Sequence, residues 1–290
     1  MKHTSYIIAG PTASGKSDFA HELARRIGGV IINCDSVQIY RGIEAISASP
    51  FTNRPISDEI DGVPYKLFSI LDLSQQISVA DYLEMARREY DAAIAAGRVP
   101  IFVGGTGYYI NAILNGISPM PDIDAHVRQR ARDMVAADIN AARQMLGADA
   151  PADPQRISRA LEVLIQTGRP ISEFQAAPRV GAITPRPYVV LLSPNASTLT
   201  ARIVARVPKM IDAGAITQAQ YMIDNNLDPR RAIGAMQLCA YLRGDMSRNE
   251  CIANWISKTR QYAKRQRTWF RTQMNPDKII TGTEFDASFE

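Results

Sequence analysis

The chain has 290 residues, 46% of them hydrophobic and 21% charged, and a formal net charge of +4. That balance excludes wholesale disorder, and the length allows one large domain or a core with a modest second unit. No apolar run approaches the ~20 residues of a membrane helix, and no secretory leader precedes the first strand, so a cytoplasmic protein without a membrane partner is expected.

The first element is a short strand at Tyr6-Ile7-Ile8-Ala9, followed by Gly10-Pro11-Thr12-Ala13-Ser14-Gly15-Lys16-Ser17 and a helix to Ile27. This octapeptide fits the phosphate-binding loop, whose backbone N–H groups and helix N-terminus cradle a chain of phosphates. Lys16 would hold outer phosphate oxygens and Ser17 a Mg²⁺ ion. A second apolar run, Val30 to Cys34, ends at Asp35-Ser36. Residues 42–61 lack periodicity and read as a loop. Ser78 is placed to cap a helix to Ala96, with Val79, Tyr82, Leu83, Ala86, Tyr90 and Ala93 on one face and Gly97 ending it. Pro100 to Val103 form a third strand, leading into Gly104-Gly105-Thr106-Gly107 and another helix.

Strands alternating with helices behind a phosphate loop imply an α/β fold: a parallel sheet flanked by helices. Ligands in such sheets bind beyond the carboxyl ends of the strands, where Asp35 and Thr106 join the loop. The Gly-rich turn reads either as a tight connection or as a second backbone surface over the ligand. Asp35 reads either as a capping or metal-shell carboxylate or as a general base. No acid ends the third strand, which argues against an ordinary ATPase.

Pro119-Met120-Pro121 breaks the alternation, and Asp124 to Thr167 is almost wholly helical. A second break at Pro178 to Pro187 precedes the strand Tyr188 to Leu192. The expected organisation is a core of residues 1–118 and 185–290 with a helical insertion domain at 119–184. The tail after Asn195 is helical and ends in a short strand at Lys278 to Ile280. Within it, Lys258, Arg260, Lys264, Arg265, Arg267 and Arg271 run without an acid, interleaved with Tyr262, Trp269 and Phe270. Such a strip suits a nucleic-acid backbone better than a solvated face of mixed sign. Arg156 and Arg159 share one face of a helix capped by Asp153. Cys34, Cys239 and Cys251 form no CxxC pair and read as reduced, semi-buried thiols. His3, His21 and His126 are scattered and read as surface or helix residues.

In order along the chain, the phosphate loop, Asp35-Ser36-Val37-Gln38-Ile39-Tyr40-Arg41-Gly42, Val103 to Tyr109, Asp153 to Val163, Thr259 to Gln266 and Thr268 to Arg271 resemble the tRNA dimethylallyltransferase (tRNA isopentenyl transferase) family. The resemblance implies a P-loop NTPase-like sheet and a monomer. It also implies transfer of a dimethylallyl group from dimethylallyl diphosphate to N6 of the adenine 3′ to the anticodon of tRNA. On that basis Asp35 is the general base, Thr106 lines the reaction channel, and Lys16, Ser17 with Mg²⁺, and Arg206 neutralise the leaving diphosphate. Gly10 to Ser17 hold that group. Asp35, Ser36, Val37, Gln38, Thr106, Arg128, Gln155, Arg156, Ile157, Ser158, Arg159, Arg260, Lys264 and Arg265 fall where the family contacts the anticodon stem-loop.

Four departures touch acceptor-side or loop elements. The family's Gly-Thr-Ala-Lys-Pro reads Ile46-Ser47-Ala48-Ser49-Pro50, a His pair reads Tyr65-Lys66, and Gly-Tyr-Arg-Gln reads Gly234-Ala235-Met236-Gln237. The insertion before Asp153 is also short. An active but divergent enzyme with weakened or narrowed tRNA recognition is expected. The alternatives are a P-loop small-molecule or nucleoside kinase, which would bind ATP, and a non-catalytic tRNA-binding homologue.

Overall fold

The computed structural model describes residues 4–147, 150–184 and 186–282; His3 lies outside them. The core opens with β1 (Tyr6–Ala9), α1 (Lys16–Ile27) and β2 (Gly29–Asn33). It continues with α2 (Glu44–Ser47), β3 (Glu59–Ile60), β4 (Val63–Lys66), α3 (Val79–Ala95), β5 (Val99–Gly104) and α4 (Gly107–Asn115). Four further helices follow: α5 (Ala125–Ala137), α6 (Ile139–Leu146), α7 (Pro154–Thr167) and α8 (Ile171–Gln175). The chain then forms β6 (Tyr188–Leu192), α9 (Ala196–Met210), α10 (Ile216–Asp224), α11 (Ala235–Leu242), α12 (Arg248–Gln273) and β7 (Lys278–Ile280).

The seven strands form one sheet in the order β3-β4-β2-β5-β1-β6-β7. It is parallel throughout except for the β3–β4 hairpin at one edge. The sequence suggests a loop over residues 42–61, yet α2 and β3 lie in that stretch. Both are too short to show periodicity. Every residue of β1 and β2 is buried, so both faces of the sheet are covered, as parallel sheets require. Ile8, Ile31, Ile101 and Val190 pack with Phe19 and Leu23 of α1 in the principal core.

Register places the functional rim. Ala9 pairs with Gly104 and Leu191, and Asn33 pairs with Val103. The carboxyl ends of β1, β2, β5 and β6 are therefore level, and the segments that leave them emerge together.

The chain divides into two compact units, one running to Leu114 and resuming at Ile183, the other spanning Asn115–Ala182. In the second unit, Ala131, Ala142, Ile157 and Leu161 form one small core, and Ile123, Val127 and Val163 another. Asp153 caps α7 by accepting from Arg156 N–H at 3.0 Å, with Pro154 at the first helical position. An Ile117–Val180 bridge ties the two ends of the unit, each backbone N–H donating to the other's carbonyl at 2.9 Å.

Candidate active site

The phosphate loop leaves β1 at Gly10 and turns into α1 through Gly15, whose φ of +90° suits glycine. Gly10 is also sterically required, because a Cβ there would lie 2.7 Å from Leu192 O and from Ser14 Oγ. Ala13 holds a left-handed φ of +63°, a conformation that costs an L-residue free energy unless its surroundings impose it. The surroundings come from α9. Arg202 Nη1 donates to Ala13 O (3.2 Å) and Ser14 O (3.0 Å), and Arg206 Nη2 donates to Thr12 Oγ1 at 2.6 Å. These two arginines lie one helical turn apart, on one face.

From α12, Gln266 Oε1 accepts the Thr12 N–H at 2.8 Å while its Nε2 donates to Gly105 O at 2.8 Å. Arg202 and Gln266 are the site neighbours that sequence reasoning misses. The i, i+4 spacing of Arg202 from Arg206 was a usable signal. For Gln266 the signal was only its place at the end of the Thr259 to Gln266 block, which assigns it no role.

Asp35 stands two residues past the regular end of β2. Its turn is built by Asn33, fully buried, whose Oδ1 accepts the Asp35 N–H (2.9 Å). Asn33 Nδ2 donates to Asp35 O (3.1 Å) and Leu67 O (2.9 Å). One carboxylate oxygen, Oδ1, accepts from Val37 N–H at 2.9 Å and more loosely from Gln38 N–H at 3.4 Å. Oδ2 has no hydrogen-bond partner among the described residues. Thr106 Oγ1 accepts the Ser36 N–H at 3.0 Å and donates to Ser36 Oγ at 3.2 Å, binding the two strand ends together.

The electrostatics centre on Asp35. Burial lowers the Lys16 pKa, and the Asp35 carboxylate works in the opposite direction. Arg206 behaves alike, lowered by burial and opposed by Asp35. Burial raises the Tyr262 and Tyr109 phenols, and the negative charge of Asp35 adds to both shifts. Lys16, Arg206, Tyr109 and Tyr262, from four elements, thus all feel the charge of one carboxylate. Arg206 Nε and Ser14 Oγ are buried without a hydrogen-bond partner, and burying unsatisfied donors is costly. An anion in the loop would satisfy them. Ser17, exposed in the first turn of α1, has the hard oxygen that Mg²⁺ accepts beside phosphate oxygens and water. Among the described residues no group of three or more His, Cys, Asp or Glu side chains could hold a metal.

The Gly-rich turn has its empty positions filled by protein. A Cβ on Gly104 would collide with the Cys34 carbonyl, one on Gly105 with the Gln266 amide, and one on Gly107 with the Trp269 indole. The turn therefore packs tightly against Cys34, Gln266 and Trp269, as the tight-connection reading requires. The cysteines also differ from expectation: all three are fully buried, and burial pushes the Cys34 thiol up to about 12.

On α12, Lys258, Arg260, Lys264, Arg265 and Arg271 are exposed and Arg267 is half-buried. No ion pair joins any of the six to a carboxylate among the described residues. The Arg265 guanidinium lies 5.7 Å from the centre of the Tyr262 ring. The opposite face carries Trp255, Thr259, Ala263, Gln266 and Phe270 into the core. In the second unit Arg128, Gln155 and Arg156 are exposed and Ser158 is half-buried. Ile157 turns inward with no exposure, so its side chain packs and is withdrawn from any surface contact. Arg159 pairs with Glu162 at 2.9 Å.

The departures are absorbed structurally. Ile46, Ser49, Tyr65 and Ala235 are buried. Gln38 Nε2 donates to Ser47 O (3.2 Å) and Ala48 O (3.0 Å), holding the segment after α2. Tyr65 Oη lies 3.0 Å from His21 Nδ1, and its ring packs with Phe51 and Phe68. Gly234 leaves room for Trp255, while Met236 is half-exposed.

Comparison with known proteins agrees with this arrangement. The family model described as IPP transferase matches residues 38–273, and one described as isopentenyl transferase matches residues 3–62. The tRNA dimethylallyltransferase of Sphingopyxis alaskensis is 43% identical, with 92% of this chain and 89% of that one covered. That of Rhodospirillum rubrum is 39% identical, with 95% and 87% covered. The crystal structure of the full-length tRNA isopentenylpyrophosphate transferase from Bacillus halodurans superimposes with a TM-score of 0.68 at 30% identity, covering 99% of this chain and 93% of that one. A eukaryotic dimethylallyltransferase acting on tRNA gives 0.71 at 25% identity, with 93% and 70% covered. With a P-loop NTPase-like sheet, an intact phosphate loop and matches along nearly its whole length, the chain belongs to the IPP transferase family.

Proposed function

We propose that the protein transfers a dimethylallyl group from dimethylallyl diphosphate to N6 of the adenine 3′ to the anticodon in tRNA. The observation that carries this reading is the juxtaposition at the sheet rim: a carboxylate with one unengaged oxygen past the end of β2, level with a phosphate loop that carries Lys16 and is held by Arg206 of α9. The N6 nitrogen attacks the allylic carbon, the bond from that carbon to the diphosphate oxygen breaks, and diphosphate leaves with the electron pair. Asp35 Oδ2 takes the N6 proton. Lys16, Arg206 and the N–H groups of the loop receive the charge that develops on the leaving group. Mg²⁺, held by Ser17 and the phosphates, would supply further charge neutralisation there. The adenine must leave its stack to reach Asp35, and the unpaired basic face of α12 suits the phosphates of the stem that presents it.

The test incubates the protein with an anticodon stem-loop, Mg²⁺ and labelled dimethylallyl diphosphate, with γ-labelled ATP in parallel. Label enters RNA only from the isoprenoid, and Asp35→Ala lowers the rate by roughly 10²–10⁴, far more than it weakens stem-loop affinity. Transfer from ATP to a small molecule, or no label in RNA from either donor, overturns the assignment.

A further inference from the structure

Gln266 is where the C-terminal helix reaches the phosphate loop. Its side chain is 6% exposed, and both ends of its amide are engaged, Oε1 by Thr12 N–H and Nε2 by Gly105 O. One end meets only a donor and the other only an acceptor, so a single orientation of the amide satisfies both. The bonds span 254 and 161 residues of sequence, and Gly105 lacks a side chain where the amide sits. Thr12 is held a second time through its hydroxyl by Arg206, and the next two carbonyls by Arg202. The first half of the loop is therefore fixed from outside, while its second half opens α1 and offers N–H groups to an anion. A binding loop held in its bound shape before the ligand arrives loses less freedom on binding.

We infer that Gln266 is a positioning residue for the phosphate site, locking Thr12 to Gly105 so that the loop receives a diphosphate preformed. It acts through the backbone and does not touch the ligand. This rests on the reading that the loop holds the diphosphate of the donor.

Inorganic diphosphate is titrated calorimetrically, with Mg²⁺, into the full-length protein, into Gln266→Leu and into Gly105→Ala, whose added methyl displaces the amide from the other side. Both variants weaken diphosphate binding about tenfold and raise the donor KM by a similar factor, with stem-loop affinity unchanged. The double variant is no weaker than the worse single one, since both changes break the same link. If Gln266→Leu does not fold, Gly105→Ala decides. Diphosphate affinity within about twofold of wild type in either folded variant would mean that the amide only packs, and sinks this inference alone. A wild-type protein that does not bind diphosphate sinks it together with the donor assignment.

Discussion

Lys16 shows how one residue's surroundings set a measurable limit. Its pKa is pushed below the ordinary lysine range by burial, with Asp35 opposing the shift. The charged form that grips phosphate is the protonated one, so its contribution is present at neutral pH and lost as pH rises through the lowered value. In diphosphate titrations the affinity advantage of wild type over Lys16→Arg therefore falls as pH rises, with a midpoint below the ordinary value of about 10.4. Measuring the ratio cancels the ionisation of diphosphate itself. A ratio constant to pH 10 would show that Lys16 is not the titrating contact. Asp35 is equally a product of its neighbours: Asn33, two residues earlier, holds the backbone on which its carboxylate stands.

At the scale of elements, α9 carries more of the site than its sequence announces. The triplet Asn195-Ala196-Ser197 resembles a glycosylation sequon. In the fold Asn195 is the helix N-cap, its Oδ1 accepting from Thr198 N–H at 2.8 Å and from Ser197 Oγ at 2.7 Å. Replacing it with Ala removes a cap and costs about 1 kcal/mol in urea unfolding. Because α9 positions Arg202 and Arg206 further along, the variant keeps its diphosphate affinity once folded; a large loss of affinity would mean that the first turn is part of the site. The helix α3 was legible for the opposite reason. Its capping box, Ser78 with Asp81, and the buried Tyr82, Leu83, Ala86 and Ala93 are all encoded within one stretch. By contrast α2, four residues long, depends on Gln218 accepting the Ala45 and Ile46 N–H groups at 3.0 and 3.1 Å. Nothing within residues 42–61 could reveal it.

Across the whole molecule, α12 joins two functions on opposite faces. Outward it offers a basic strip with no acidic partner, and inward it delivers Gln266 to the loop and Trp269 to the Gly107 turn. Removing one exposed charge with Lys264→Ala reduces the slope of log affinity for the stem-loop against log salt by ~0.7–0.9, while diphosphate binding is unchanged. An unchanged slope would show that the strip does not meet the RNA backbone. The outward face could be read from sequence because charge composition is a local property. The inward face could not, because periodicity tells which residues are buried and leaves open what they are buried against.

Sequence alone determined the phosphate loop, the strand ends carrying Asp35 and Thr106, the interruption of the α/β pattern and the acid-free strip. Each depends on residues adjacent in the chain, through caps, glycine conformations and alternation of strands and helices. Only the tertiary structure decided that the loop is held by Arg202, Arg206 and Gln266, and that the Gly-rich turn is filled by protein groups. It alone also showed that Ile157 faces a core and that Asp35 stands on a turn built by Asn33. Those outcomes turn on which distant side chain reaches a given backbone group, and strand register and helix packing fix that only when the whole chain folds.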